Sequence, residues 1–187
     1  MSTVNVTNLK HPSSTVNNIV LASDGTCSVN GSPKWYTSSV ASMSGTTTTI
    51  TGINTDADQI LMTIENASLT TNNDLIFRVG TSGGIVTSGY HVAGGYYSTG
   101  VSSSNRTTGF YTHSTGVAST YWNGFWILYR IAGNRYYGML HIVNEGGNTV
   151  HYAEGNIDCP ARIDRIQALG AGGSWDAGQM VVRYMVP

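Results

Sequence analysis

Residues 125–144, FWILYRIAGNRYYGMLHIVN, limit what this chain can fold into more than any other stretch. Phe125, Ile127, Tyr129 and Ile131 alternate with Trp126, Leu128 and Arg130. After Ala132-Gly133-Asn134-Arg135, Met139, His141 and Val143 alternate with Leu140 and Ile142. Side chains of a strand point to opposite faces with period two, whereas an amphipathic helix needs apolar residues three and four apart. The pattern predicts two long strands with one face buried and the other partly covered. Gly133 and Asn134 tolerate the positive φ of a tight turn, and they stand where the turn is needed. The hairpin is expected at the centre of the sheet core, so an Asp at Trp126 or Ile127 is expected to unfold the domain.

The same grammar runs through the chain from residue 47 onward. Strands are expected at 47–53, 59–65, 74–79, 90–97, 110–112, 149–155, 162–169 and 179–186. Ile60, Met62 and Ile64 share a face, as do Leu75, Phe77 and Val79, and again Met180, Val182 and Tyr184. In 162–169 the spacing of Ile163 and Ile166 breaks clean alternation. Gly94-Gly95 suggests a bulge or kink, and the Ser-rich 101–109 reads as a loop. No segment has a helical period. About eight to ten strands at this spacing predict an all-β fold, an antiparallel β-sandwich or jelly roll. The expected division is an extended N-terminal arm, 1–46, and a sandwich domain, 47–187. Within the arm, 18–21 and 26–29 are strand candidates around the Asp24-Gly25 turn, and 37–49 reads as a linker or edge element. The arm has too little apolar bulk to fold alone, so it is expected to lie on a partner surface.

Charge narrows the function classes. Only 10% of residues are charged and the formal net charge is −1. The two lysines and seven arginines form no stripe, so nucleic acid is not an expected partner. No apolar run is long enough for a membrane span, and the opening residues do not read as a secretory signal. Cys27 and Cys159 are read as two unpaired thiols, with a single bridge as the alternative.

Catalytic signatures are missing. The five histidines show no metal-ligand spacing; facing positions on neighbouring strands for His141 and His151 stand against the plainer reading of separate strand histidines. Asp56 and Asp58 read as a turn and not a calcium loop. Asp74, Glu145, Glu154, Asp158 and Asp176 are available for glycoside cleavage, but nothing in the sequence pairs them. No catalytic residue, metal or cofactor is therefore assigned, and the chain is not expected to be an enzyme. The strongest hint is aromatic. Tyr90, Tyr96, Tyr97, Tyr111, Tyr121 and Trp122 lie among Ser, Thr and Asn with Arg106 and His113. Aromatic faces stack on sugar rings and also supply contact area at subunit interfaces. Glycan contact, a subunit interface and plain packing stay open for these eight residues.

Three stretches resemble virion proteins. TNLKHPSSTVNNIVLASDGTCSVNG resembles the N-terminal segments of virion proteins from tailed bacteriophages, notably podoviruses of marine bacteria. IDRIQALGAGGSWDAGQMVVRYMVP resembles the closing strands of phage fibre and head-fibre jelly rolls, with Ile163, Ile166, Gly170, Gly172, Gly173, Trp175, Ala177, Gly178 and Val181 at the matching positions. DLIFRVGTSGGIVTSGYHVAGGYY resembles their Arg-bearing strand, Gly-rich hairpin and Tyr-rich strand. The closing Tyr-Gly common in such domains is replaced here by Tyr184-Met185-Val186-Pro187. The resemblance implies a phage structural protein on the particle surface. It implies assembly as a homotrimer, joined to other virion proteins of tail or capsid through the arm. Leu9, Lys10, His11, Pro12, Ile19 and Leu21 are the arm residues expected to make that attachment. A tail-fibre or appendage role touching host surface polysaccharide is the first expectation. Capsid decoration or a head fibre is the second, and a lectin or glycan-active enzyme the third.

Overall fold

The computed structural model describes residues 33–97, 101–113 and 118–187, with backbone alone at 101–102, and the backbone of three short strands nearer the start. Those three, β1 (Asn8–Leu9), β2 (Ile19–Leu21) and β3 (Cys27–Val29), form an antiparallel sheet in a unit of their own. Leu9 pairs with Ile19 and Leu21 with Cys27. Lys10, His11 and Pro12 lie outside the described residues.

The second unit runs from Trp35 to Val186. Its strands are β4 (Lys34–Ser42), β5 (Thr47–Thr51), β6 (Gln59–Leu69), β7 (Leu75–Thr81), β8 (Gly84–Ile85), β9 (Tyr90–Tyr97) and β10 (Val101–Arg106). They continue with β11 (Phe110–Tyr111), β12 (Trp122–Ala132), β13 (Arg135–Asn144), β14 (Thr149–Asp158), β15 (Arg165–Gly170) and β16 (Trp175–Val186). A large sheet has the order β10-β9-β14-β13-β12-β6-β16-β4, and a smaller one the order β11-β7-β15-β5, with β8 on β7. The chain crosses between sheets repeatedly, as from β5 to β6, β6 to β7, β11 to β12 and β15 to β16, the alternation typical of sandwich folds. The fold is an all-β antiparallel sandwich. Its hairpin β12–β13 sits in the middle of the large sheet and turns at Gly133, whose φ is +54°.

An aromatic group fixes the spacing of the two sheets. Trp126 of β12 lies 4.9 Å from the ring of Phe110 in β11 and 6.2 Å from that of Phe77 in β7. Tyr90 of β9 meets Phe110 edge-on at 6.2 Å. All four are buried, and tilted or edge-on contacts are the favoured geometry for such rings. Gly138 of β13 makes the room: a Cβ there would lie 2.8 Å from Phe110 Cζ and from Leu128 Cδ2, and 2.9 Å from Trp126 Nε1. Ile60, Met62, Ile64, Leu75, Val79, Met180 and Val182 complete the buried layer, on the faces their alternation predicted.

Several details differ from the sequence reading. The stretch read as a loop at 101–109 holds β10, in register with β9 from Val101↔Tyr97 to Arg106↔Val92. Serines are poor strand formers, but an edge strand is held by backbone pairing and needs no apolar side chains. The register of β9 with both neighbours runs through Gly94-Gly95 without a break, so no bulge is present. Gly94 instead permits a close approach, since a Cβ there would come within 2.5 Å of the Tyr152 carbonyl. Ile163 and Ile166 break alternation because Ile163 precedes β15; both are buried. Residues 35–42 are paired in the large sheet as β4, so the compact unit starts before residue 47. Ile127 lies on the outer face of the large sheet, half-exposed, while Trp126 and Leu128 point into the core.

The two neighbours therefore respond differently to charge. Trp126→Asp is expected to cost more than about 4 kcal/mol and abolish the cooperative thermal transition, because a carboxylate replaces a buried ring. Ile127→Asp is expected to fold, with a loss below about 2 kcal/mol. Circular dichroism melts of the two variants check this; an unfolded Ile127→Asp chain would contradict the assigned faces.

Candidate functional site

Seven of the eight residues singled out from the sequence fall into three places. Tyr90 is wholly buried. Its hydroxyl donates to the Val86 carbonyl at 3.0 Å and accepts from the Val79 N–H at 2.9 Å, so it stitches β9 to β7. Burial holds its phenol well above the ordinary tyrosine range. Tyr90 is a packing residue.

Tyr96, His113 and Trp122 gather at one end of the sandwich around His151. The register places His151 of β14 between Ile142 of β13 and Tyr96 of β9. The Tyr96 ring is 5.7 Å from His151 and 5.2 Å from His113, and Trp122 lies 5.0 Å from His151. His151 Nδ1 accepts the His113 backbone N–H at 3.2 Å, so its neutral form carries the proton on Nε2, 2.9 Å from Thr149 Oγ1. Nearby, the Asn144 amide donates to Thr120 Oγ1 at 2.8 Å and accepts from the Gly147 N–H at 2.6 Å. His141 and His151 do not meet. His141 pairs with Tyr152 and faces outward, one position out of step with His151, so the two lie on opposite faces.

Tyr111, Arg106 and Tyr97 line the β9–β10 edge. Tyr111 is buried, with its hydroxyl against both the Ser104 carbonyl at 2.5 Å and Ser104 Oγ at 2.8 Å. The Arg106 guanidinium sits 5.0 Å over the Tyr111 ring and 3.4 Å from Asp74 Oδ2. Burial raises the Asp74 carboxyl above its usual range, against the charges of Arg106 and His113. About half of the Arg106 side chain stays exposed. Beside it, His91, Val92, Ala93, Asn105 and Thr107 complete a shallow depression of about 300 Å³. Tyr97 is exposed and stacks on Tyr152 at 5.1 Å. Tyr121 is exposed as well.

Four of the five carboxylates weighed for hydrolysis have other partners, Asp74 being the one beside Arg106. Glu145 accepts from Asn123 at 2.7 Å, Glu154 accepts from the Tyr137 hydroxyl at 2.8 Å, and Asp158 lies 3.7 Å from Arg135. Asp58 is ion-paired with Arg130, and Asn54 Oδ1 accepts the Asp56 N–H, as a turn requires. No group of three or more metal-ligating side chains occurs among the described residues. Cys159 is a buried free thiol whose pKa burial pushes up to about 12. The sequence reading missed His151 as the hub of the polar end; an isolated histidine in a Thr-x-His strand carries no motif that would single it out.

Burial pushes the His151 imidazole down to about 4 from an ordinary 6.5, and the nearby charge of His113 acts in the same direction. The unfolded chain therefore takes up a proton at His151 that the folded chain refuses. The stabilisation is full above pH 6.5 and is lost as pH falls toward about 4, by about 3 kcal/mol. His151→Phe keeps a ring in place and is expected to lose this slope, although it is less stable at neutral pH. Urea unfolding of both chains from pH 7 to pH 4 measures it; equal slopes would show that His151 titrates normally.

No family model and no curated protein match the chain. Among solved structures, a protein of unknown function from Shewanella oneidensis MR-1 is similar at 10% identity and a TM-score of 0.33, over 90% of this chain and 83% of that one. A Bacillus endospore appendage pilus protein is similar at 14% identity and a TM-score of 0.30, over 87% and 97%. A single mutant of congerin II is similar at 10% identity and a TM-score of 0.26, over 75% and 99%.

Proposed function

We propose that the chain is a structural component of a bacteriophage particle, a fibre- or appendage-type sandwich joined to other virion proteins through its N-terminal residues. The observation that carries this reading is how the polar side chains are used. The groups that resemble chemistry in the sequence are engaged in holding the sandwich together: His151 and Asn144 tie strand ends and turns, Tyr90 bridges the sheets, and Glu145 and Glu154 accept from neighbouring side chains. Polar groups spent on scaffold suit a protein whose task is to present a surface. The opening stretch, which resembles tailed-phage virion proteins, and the closing one, which resembles phage fibre and head-fibre jelly rolls, support that kind of scaffold.

The surface to present is the β9–β10 edge. There Arg106, Asn105, His91 and Thr107 surround a depression, with Tyr97 exposed farther along β9. Guanidinium, amide and hydroxyl groups bind sugar hydroxyls, and an exposed tyrosine offers a stacking face. Polysaccharide of the host surface is the ligand this chemistry fits.

Labelled chain is expected in purified particles at a fixed copy number, located by electron microscopy on tail or appendage; chain found only free in the lysate would rule the reading out. A chain beginning at residue 35 is expected to fold and to fail to join the particle. If it still joins, attachment lies elsewhere than in the N-terminal residues.

A further inference from the structure

The large sheet has an outer face, turned away from the small sheet, whose central part is unusually poor in charge. In one cross-strand row the register sets Arg183 of β16, Leu61 of β6, Ile127 of β12, Met139 of β13 and Glu154 of β14 side by side. The three apolar residues are half-exposed, and both charged ones are exposed. Arg183 has no ion pair among the described residues. The neighbouring rows, through Phe125 and through Tyr129, hold no Asp, Glu, Lys or Arg across the same five strands. Phe125 is itself 40% exposed and stacks on His141 at 6.0 Å. The face is thus an apolar field with one cation and one carboxylate, each two strands from Ile127 on opposite sides.

We propose that this face pairs with the same face of a second copy of this chain, about a two-fold axis that lies between the two sheets and runs along β12. Rotation about that axis carries β16 over the partner's β14 and β6 over the partner's β13. Ile127 then meets its own counterpart, Leu61 meets Met139, and Arg183 meets Glu154, twice. Strands about 4.8 Å apart put each charge roughly 10 Å from the axis. Sheets that pack aligned cross at about 30°, which displaces facing groups by about 5 Å along the strand at that distance, within reach of an arginine side chain. The charges also choose the orientation: a two-fold axis running across the strands would lay Arg183 on Arg183. An isologous contact needs a self-complementary patch, and this row is its own complement.

The area is sufficient. Eight strands at about 4.8 Å spacing, with about ten residues each in the central ones, present on the order of 1,000 Å². A standard interface covers about 800 Å² on each partner. In the pair, β10 is four strands from the axis while the opposite edge, β4, is only three, so β10, with Asn105 and Arg106, overhangs the partner's edge. A three-fold ring, which the likeness to fibre proteins implies, would set this face against a different one and leave the row without its complement. The inference does not depend on the virion reading, and its test does not involve particles.

Sedimentation of the full chain is expected to give twice the 19.9 kDa chain mass. Arg183→Glu and Glu154→Arg are each expected to raise the dimer dissociation constant at least ten-fold, because like charges then face each other in both bridges. Mixing these two variants in equal amounts is expected to restore the pair, since both bridges again join opposite charges. Ile127→Asp is expected to sediment as a folded monomer, its fold checked by circular dichroism. A wild-type monomer or trimer would overturn the proposal, as would single reversals that leave the dimer unchanged or a mixture that stays monomeric.

Discussion

The contact of Trp126 with Phe110 and Phe77 is the constraint on which the rest of the sandwich depends. It joins the middle strand of the large sheet to β11 and β7 of the small one, and it sets how far apart the sheets stand. Trp126 Nε1 has no hydrogen-bond partner among the described residues, so the ring is held by packing alone. That places the burden on shape, and Gly138 shows how closely shape is set: a single methyl group there would collide with Phe110, Leu128 and the indole at once. With the rings in place, Tyr90 closes the same region through hydrogen bonds to β7 and Val86.

Around that apolar centre the polar groups have been drawn into two ends. At one end, His151 accepts a backbone N–H of His113 and meets a hydroxyl of Thr149, buried with the rings of Tyr96 and Trp122 against it. A neutral histidine suits this position, since it both accepts and donates without a charge to solvate. At the β9–β10 edge, Arg106 lies 3.4 Å from the largely buried Asp74 and half-exposed over Tyr111. The first end is closed to solvent and the second borders it. The second has the half-exposed guanidinium of Arg106, with the exposed Tyr97 farther along β9.

The outer face of the large sheet adds a different kind of surface. Its residues come from five strands, β6, β12, β13, β14 and β16, and hydrogen-bond register brings Arg183, Ile127 and Glu154 into line. Because antiparallel register fixes which side chains stand opposite, charge order across a sheet is a property of the pairing and not of any strand taken singly. Low net charge, seen in the sequence only as an argument against nucleic acid, here leaves a field in which two charges are enough to give direction.

The sequence by itself determined the all-β class, the position of the central hairpin and the buried faces of β6, β7 and β16. Period-two alternation and turn residues are local signals, and burial of one face follows from them. Tertiary structure decided what depends on contacts across the chain. It made β10 a strand, because an edge strand is recruited by a neighbour's backbone and not by its own serines. It put Ile127 outside and Trp126 inside, although both faces of that strand are apolar in sequence. It separated His141 from His151 by one step of register, and it decided for packing at Tyr90 and Trp122, where contact and packing had both stayed open. The same twenty residues, 125–144, therefore carry two roles that their alternation alone did not assign: Trp126 holds the sheets together, and Ile127, one position on, faces outward, because each successive side chain of a strand points to the opposite side.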